Sequence, residues 1–141
     1  MKVITIVVLA LVLVLCVALI GGCASKTSSA GGGQSTGPYT IDAKEAKRMM
    51  DSNEPYTMVD VRTEAEYQQA HIPGALLIPV DVIAKEAATK LPDKNATIVL
   101  YCRSGARAGQ AAQTLASLGY TKVYNLGGIN NWPYETVSGS N

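Results

Sequence analysis

Residues 98–107 carry the residue types that nucleophilic chemistry requires. An apolar run that favours a β-strand ends at Cys102, and an alanine-rich run that favours a helix begins a few residues later. The loop between them holds Arg103 and Arg107. Backbone N–H groups at a helix N-terminus and two arginine charges all favour the thiolate form of a cysteine, which is the nucleophilic form. Burying two arginines for packing alone would be unfavourable, so we interpret Cys102 as a catalytic cysteine rather than a small packing residue.

The segments that must position this loop alternate between strand and helix patterns. The predicted strands are residues 39–41, 57–61, 76–78, 97–101 and 122–125. The predicted helices are residues 43–51, 64–69, 81–90 and 108–118, followed by a short helix around Trp132. This alternation predicts an α/β fold with an open parallel sheet and helices on both faces. Ligands of such sheets bind beyond the carboxyl ends of the strands, which is where Cys102 lies.

Two of the predicted helices begin with a capping box. In this motif a side chain before the helix accepts a backbone hydrogen bond, and a Glu three residues later bonds back. Asp42 with Glu45 has this spacing, and so does Thr63 with Glu66. Glu66 could instead pair with an arginine, and the sequence leaves the two roles open.

The charges of the chain are nearly balanced. Two of its twelve Lys and Arg residues, Lys2 and Lys26, precede residue 39, whereas all eleven Asp and Glu residues follow it. Phosphate binding requires a basic face, so we expect no nucleic-acid partner. The part of the chain from residue 39 holds one histidine and one cysteine. A zinc site of the Cys/His type is therefore not expected, and we predict neither a metal nor a cofactor.

The N-terminal residues predict export and lipidation. Residues 3–20 are almost entirely apolar, and residues 20–23 resemble the lipobox of bacterial lipoprotein signal peptides, in which small residues precede a lipidated cysteine. The resemblance implies a signal peptide over residues 1–22, lipidation of Cys23 and an extracytoplasmic protein anchored by lipid to a bacterial membrane. An uncleaved signal anchor is the alternative, because the apolar run is long enough to span a bilayer.

A flexible linker is predicted between this N-terminus and the globular part. Residues 23–38 are rich in Gly and Ser and contain too little apolar area to order themselves. The globular domain is predicted over residues 39–141. Cys102 is the only cysteine of that domain, so it contains neither an internal disulfide nor a built-in resolving thiol.

Four phrases in order along the chain resemble a single-domain rhodanese, a thiosulfate sulfurtransferase-like protein. They are residues 60–62, 71–75, 102–107 and 126–128 with Trp132. The resemblance covers almost the whole globular part. It implies a five-stranded parallel sheet with strand order 3-2-4-5-1. In that order the second and fourth strands are neighbours, so residues 60–62 and Cys102 would lie side by side.

The resemblance also implies a reaction. In this family the thiolate, here Cys102, attacks the outer sulfur of a donor such as thiosulfate and becomes a persulfide, from which cyanide or a thiol acceptor, including a thioredoxin-like protein, removes the sulfur. Such covalent catalysis in two steps predicts ping-pong kinetics. The loop residues would bind the anionic donor through their N–H groups and arginine charges. These substrate-binding residues are Arg103, Ser104, Gly105, Ala106 and Arg107.

Three further residues are assigned supporting roles. Asp60 and Arg62 follow a buried strand, and we expect them to form ion pairs or hydrogen bonds that fix the loops, not to contact substrate. His71 begins one of the family phrases. We therefore expect it to stabilise the domain rather than act as a catalytic base.

Two other functions compete with a sulfurtransferase that turns over. A rhodanese-like domain can serve as a persulfide carrier or a redox-partner binding module without turnover. A cysteine phosphatase also uses a loop thiolate and an arginine, but it resembles a Cys-x5-Arg pattern. Here Arg107 is one position short of that spacing, which falls on Ala108. A sulfur site is therefore favoured over a phosphate site. Separately, we expect the chain to be a monomer.

Overall fold

The computed structural model describes residues 38–140. The predicted signal peptide, the lipidation of Cys23 and the linker up to residue 37 lie outside the described residues. Within residues 38–140 no helix combines the length and the apolar character that crossing a membrane requires.

The described part of the chain forms a five-stranded parallel sheet with two pairs of helices. The strands are β1 Tyr39–Thr40, β2 Tyr56–Asp60, β3 Leu76–Leu77, β4 Thr97–Cys102 and β5 Lys122–Gly128. The helices are α1 Ala43–Asp51, α2 Glu64–Gln69, α3 Ile83–Lys90 and α4 Ala106–Ser117, followed by a 3-10 turn at Ile129–Asn131. The spatial order is β1-β5-β4-β2-β3. This order confirms the α/β fold and the predicted sheet.

Side chains of the central strand β4 alternate between the two faces of the sheet. Leu100 and Cys102 lie in the core beneath α3 and α4, while Val99 and Tyr101 lie in the core beneath α1 and α2. All four are at most 1% exposed. Strand side chains point alternately to opposite faces, so a strand covered on both sides must be apolar throughout. Cys102 is therefore a core residue on the face of the sheet that α4 covers.

The boundaries of the elements differ from the predictions where backbone geometry decides them. Helix α4 begins at Ala106, two residues earlier than predicted, because Gly105 adopts a left-handed conformation (φ +109°) that turns the chain directly into the helix. Helix α3 begins at Ile83 instead of residue 81, because Val82 is its N-cap and Asp81 does not cap it. The last short helix ends before Trp132.

The two strands that carry the candidate residues are adjacent. Strand β2 pairs with β4 in a register that places Asp60 opposite Tyr101. The backbone N–H of Val61 also donates to the Tyr101 carbonyl at 3.0 Å. The carboxyl ends of β2 and β4 consequently lie side by side, as the strand order predicts.

Candidate active site

Cys102 ends β4 and is 1% exposed. Its Sγ accepts a hydrogen bond from the backbone N–H of Gly105 at 3.0 Å. Gly105 is also the N-cap of α4, so an N–H group of the helix start points at the sulfur. An N–H donor and the positive end of a helix both stabilise negative charge on sulfur. The backbone at the start of α4 therefore directs a hydrogen-bond donor at the sulfur.

Gly128 forms the floor of the loop that follows Cys102. It pairs with Cys102 in the sheet, and a Cβ placed on it would lie 2.4 Å from the Arg103 carbonyl oxygen and 2.6 Å from Ser104 Cα. No side chain fits at that separation, so residue 128 must be glycine for the loop to lie on β5. Sequence reasoning recognised this glycine only as part of a family phrase and missed its role as the floor of the loop.

The two loop arginines have different surroundings. Arg107 donates to both carboxylate oxygens of Glu66, at 2.8 and 2.7 Å. Glu66 also closes the capping box of α2 by accepting from the Thr63 backbone N–H at 3.1 Å. The hydrogen bond from Arg107 is the main cause that lowers the pKa of Glu66 to about 2. Glu66 thus has both of the roles that the sequence left open.

Arg103 is exposed, and no carboxylate among residues 38–140 pairs with it. Its side chain lines a pocket of about 600 Å³ beside the loop, and Glu66 lines the same pocket. The remaining wall includes Asn130, Trp132 and Tyr134. Sequence analysis did not predict this pocket, because residues after β5 complete it and no local pattern brings them to the loop.

The remaining predicted binding residues lie around the same turn. Ser104 and Ala106 are exposed, and Gly105 is half-buried. Ser104 Cα lies against the floor of the loop, while Gly105 is 3.2 Å from Gly127 Cα at the position that its Cβ would occupy. The structure therefore brings all five predicted loop residues together beside Cys102. Their contacts with substrate stay a prediction.

Sequence comparison places this loop in a known family. A profile described as "Rhodanese-like domain" matches residues 42–134, which is most of the chain. The chain belongs to the rhodanese family. It is 42% identical over 81 residues to the thiosulfate sulfurtransferase PspE of Escherichia coli K12, covering 57% of this chain and 78% of that protein. It is also 32% identical over 103 residues to the thiosulfate:glutathione sulfurtransferase of Saccharomyces cerevisiae, covering 63% and 73%.

A solved structure gives the same answer for the fold of this rhodanese. The structure titled "rhodanese with anions from E. coli" has a TM-score of 0.58 and 40% identity, and it covers 60% of this chain and 100% of its own. The named relatives support sulfurtransferase activity in general for this chain.

The rhodanese phrase at residues 60–62 forms a buried ion pair. Arg62 Nε and Nη2 donate to the Asp60 carboxylate at 2.9 and 2.6 Å, and Nη2 also donates to the Ala70 carbonyl at 2.6 Å. The Asp60 and Arg62 side chains are 0% and 6% exposed. Burial and the charge of Asp60 raise the pKa of the adjacent Tyr101 above its ordinary value. Arg62 also lines the pocket, and its guanidinium is held by these partners.

His71 ties the C-terminal segment to the domain. Its backbone exchanges two hydrogen bonds with Val137, and its ring stacks on Tyr67 with centroids 3.7 Å apart. Nδ1 lies 2.9 Å from the Tyr67 carbonyl oxygen. These contacts tie His71 to Tyr67 and to the C-terminal segment of this rhodanese.

The described residues hold no cluster of three His, Cys, Asp or Glu side chains suited to a metal ion. Cys102 is the one free cysteine among them. The chemistry of the site is therefore that of a single sulfur atom, backbone N–H groups and arginine charges.

Proposed function

We propose that this rhodanese moves a sulfane sulfur from thiosulfate or a similar donor to cyanide or a thiol acceptor, through a persulfide on Cys102. The observation that carries the proposal is the Gly105 N–H at 3.0 Å from Sγ, in a loop whose exposed arginine faces a pocket. Relatives named as thiosulfate sulfurtransferases support the same chemistry.

The reaction takes place in two displacements at sulfur. In the first, the Cys102 thiolate attacks the outer sulfur of thiosulfate, the sulfur–sulfur bond of the donor breaks, and its electron pair leaves on sulfite. In the second, cyanide or a thiolate attacks the outer sulfur of the persulfide and restores the Cys102 thiolate. Charge is conserved in each step, and no redox cofactor is needed. Loop N–H groups and Arg103 stabilise the negative charge that remains at the site throughout.

Replacement of the nucleophile tests this function directly. We expect Cys102→Ser to abolish thiosulfate-to-cyanide transfer, because its hydroxyl is not a nucleophile comparable to a thiolate at neutral pH. Intact mass after incubation with thiosulfate should show one added sulfur atom in the wild type and none in the variant. Because serine is nearly the same size as the buried cysteine, we expect the variant to fold. Circular dichroism of the variant checks this. Turnover near the wild-type rate in Cys102→Ser would contradict the proposal.

A persulfide carrier is the second candidate. The observation that favours it is the burial of Cys102, which is 1% exposed, together with the lack of a second cysteine in the part of the chain that the structure describes. Among residues 38–140 no second thiol can therefore take up sulfur loaded on Cys102. Loaded protein should be offered cyanide, small thiols and a reduced thioredoxin-like protein in turn. If only the thioredoxin-like protein removes the sulfur, the chain is a carrier. If cyanide and small thiols remove it at catalytic rates, the chain is an enzyme.

We also propose that the chain acts outside the cytoplasm as a lipoprotein, with Cys23 as its lipidated first residue. The lipobox resemblance of residues 20–23 supports this location. Intact mass of protein extracted from membranes tests it, because cleavage removes residues 1–22 and adds acyl chains. A membrane-bound species that retains Met1 would contradict it.

A further inference from the structure

We infer that Asn125 is a positioning residue for the reaction at Cys102, because its side chain holds a bulge of β5 against the turn whose N–H donates to the sulfur. The inference rests on the proposed function and adds a residue that acts on the sulfur through the backbone. Three observations support it: the place of the bulge, the hydrogen bond that closes it, and its close approach to Gly105.

The bulge in β5 lies opposite the end of β4. Leu100 of β4 pairs with Asn125 of β5, and two residues further along β4, Cys102 pairs with Gly128. Between these two pairs β5 has one residue more than β4, which is the pattern of a β-bulge. The extra residue shifts the register of everything that follows it in β5. The bulge therefore decides that Gly128, the floor of the loop, lies opposite Cys102.

The Asn125 side chain closes this bulge. Its Oδ1 accepts a hydrogen bond from the Gly127 backbone N–H at 2.8 Å. Gly127 has a left-handed backbone conformation (φ +91°), which few residues other than glycine adopt. A bond from a side chain to the backbone N–H two residues later is an Asx turn, which asparagine and aspartate form most readily. The Asn125 acceptor thus stabilises the backbone conformation that the bulge requires.

The bulge in turn supports the turn at Gly105. A Cβ placed on Gly105 would lie 3.2 Å from Gly127 Cα, so the two backbones are close at this point. Gly105 donates its N–H to Cys102 Sγ at 3.0 Å and is the N-cap of α4. Hydrogen bonds weaken steeply as their geometry departs from the optimum. A movement of Gly127 would therefore change the bond that reaches the sulfur.

The same side chain also borders the first turn of α4. Asn125 Nδ2 lies 3.5 Å from the position that a Cβ on Gly109 would occupy. The Gly109 N–H donates to the Gly105 carbonyl at 2.9 Å, in the first turn of the helix. The Asn125 side chain therefore lies between the two backbone segments that hold Gly105, the bulge on one side and the helix on the other.

This arrangement has a chemical consequence. A hydrogen-bond donor stabilises a thiolate more than a thiol. By keeping the Gly105 N–H on the sulfur, Asn125 increases the fraction of Cys102 that can attack a donor in the first displacement. In the second displacement the same bond stabilises the Cys102 thiolate as it leaves the persulfide sulfur. Asn125 thus assists both steps without contact with a substrate.

The test measures alkylation of Cys102 by iodoacetamide as a function of pH, in the full chain, with peptide mass spectrometry to follow this cysteine alone. Iodoacetamide is uncharged, so its rate reports the thiolate and not the binding of an anion. In Asn125→Ala we expect the midpoint of the profile to rise by about one pH unit, as for one weakened hydrogen bond to a charged sulfur. An unmoved midpoint would overturn the inference.

The rate at high pH separates positioning from general damage. Above both midpoints Asn125→Ala should react at least as fast as the wild type, because a more basic thiolate is more nucleophilic. Below both midpoints kcat/KM for thiosulfate should fall about tenfold, in proportion to the thiolate fraction. A rate that falls equally at every pH would give Asn125 a merely structural role and overturn the inference.

Two further substitutions separate the acceptor from the volume of the side chain. Asn125→Leu keeps the branched shape and removes the acceptor, so we expect it to behave as Asn125→Ala does. It also fills the site if the alanine variant does not fold. Asn125→Ser retains an oxygen that can form a weaker turn of the same kind and adds no charge, so the midpoint should return part of the way. Recovery in the leucine variant and none in the serine variant would assign the effect to packing and overturn the inference.

A second Asx turn provides the matched control. Asp93 Oδ1 accepts from the Asn95 backbone N–H at 2.8 Å, across the same span of two residues. This turn precedes β4, whereas Cys102 ends it. Asp93→Ala therefore removes an equivalent bond at the opposite end of the strand, and we expect the alkylation midpoint to stay at the wild-type value. A shift as large as that in Asn125→Ala would show that any loosened turn moves the profile, which would overturn the inference.

Hydrogen exchange reads the loop directly. In Asn125→Ala the Gly105 amide should exchange about tenfold faster than in the wild type, because its turn opens more often, while the Leu100 amide in β4 should be unchanged. Equal exchange at Gly105 in both proteins would overturn the inference. Intact mass distinguishes the two levels of the argument. If thiosulfate adds no sulfur to the wild type, the proposed function fails, and the alkylation profiles still test Asn125. If sulfur is added and the midpoint does not move, only the inference fails.

Discussion

Two arginine–carboxylate pairs in this domain have similar hydrogen bonds and different surroundings. Arg62 and Asp60 are joined at 2.6 to 3.0 Å and their side chains are 6% and 0% exposed. Arg107 and Glu66 are joined at 2.7 and 2.8 Å, but 32% and 28% of their side chains remain exposed, and Glu66 lines the pocket. Geometry alone therefore does not separate a structural pair from one that can respond to a ligand.

The two pairs differ in the free energy that is lost when one partner is removed, because one pair is buried and the other is partly exposed. Removing one partner of a buried pair leaves a charge in a poorly solvated site, whereas water screens the survivor of an exposed pair. Asp60 also accepts from the Arg62 backbone N–H at 2.9 Å, so it fixes the start of the loop after β2. We conclude that the Asp60–Arg62 pair maintains the ends of β2 and β4, while the Glu66–Arg107 pair joins α2 to the start of α4 at the solvent-exposed surface.

The largest effect on stability should follow from breaking the buried pair. We expect Asp60→Asn to lower the free energy of unfolding by about 3 to 5 kcal/mol, because Arg62 then stays buried without a counter-charge. Denaturant unfolding followed by circular dichroism measures this change. Glu45→Gln, which breaks an exposed pair on α1, should change stability by less than about 1 kcal/mol and serves as the control. A similarly small change in Asp60→Asn would remove the distinction between the two regions.

A smaller effect is expected from the ring that borders the buried pair. The Tyr101 hydroxyl accepts from the backbone N–H of Ile72 at 3.1 Å, and its ring lies 5.5 Å from the Arg62 guanidinium carbon. Tyr101→Phe keeps the ring and leaves a buried N–H without this partner, so we expect a loss of about 1 to 3 kcal/mol in unfolding free energy. Sulfur loading of Cys102 in the folded variant should be retained. A loading defect without a stability defect would assign Tyr101 to the site instead of the support.

The sequence predicted the local features of both regions and missed their long-range partners. The cap formed by Thr63 and Glu66 spans three residues, so helix geometry alone predicts it. The partner of Glu66 is 41 residues away, and only the adjacency of β2 and β4 brings Arg107 to it. The family resemblance supplied that adjacency, but local patterns carry no information on which of the two loop arginines turns to the carboxylate.

Contacts between residues distant in the sequence also explain why the sequence did not predict the pocket. Asn130 and Tyr134 follow β5, and they reach the loop because Gly128 lets β5 approach Arg103 closely. The backbone N–H of Asn130 donates to the Arg103 carbonyl at 3.4 Å. The only sign of this close backbone contact in the sequence is a glycine. Glycines also occur for many other reasons, so this one does not predict the contact. Cys102 could be proposed as the nucleophile from its neighbours in the chain, whereas the pocket beside its loop depends on tertiary packing.

The smallest effect on stability should come from the exposed pair, and pH can isolate it. The pKa of Glu66 is lowered to about 2, mainly by its hydrogen bond with Arg107, so the folded state favours the carboxylate more than the unfolded chain does. Stability from this group is complete above the unfolded-state pKa, near 4.3, and is lost as pH falls from there towards 2. Allowing for solvent screening, the contribution is about 1 kcal/mol.

Glu66→Gln should abolish that part of the pH dependence. We expect the difference in unfolding free energy between wild type and variant to be about 1 kcal/mol at pH 6 and to shrink towards zero near pH 2. The control Asp60→Asn should keep a large deficit at pH 6, where the two regions differ most. If Glu66→Gln is as destabilising as Asp60→Asn at pH 6, the Glu66–Arg107 pair is a structural element like the buried one, and exposure does not separate the two pairs. If its deficit is small and titrates away, the Glu66–Arg107 pair contributes as a solvent-screened surface pair does.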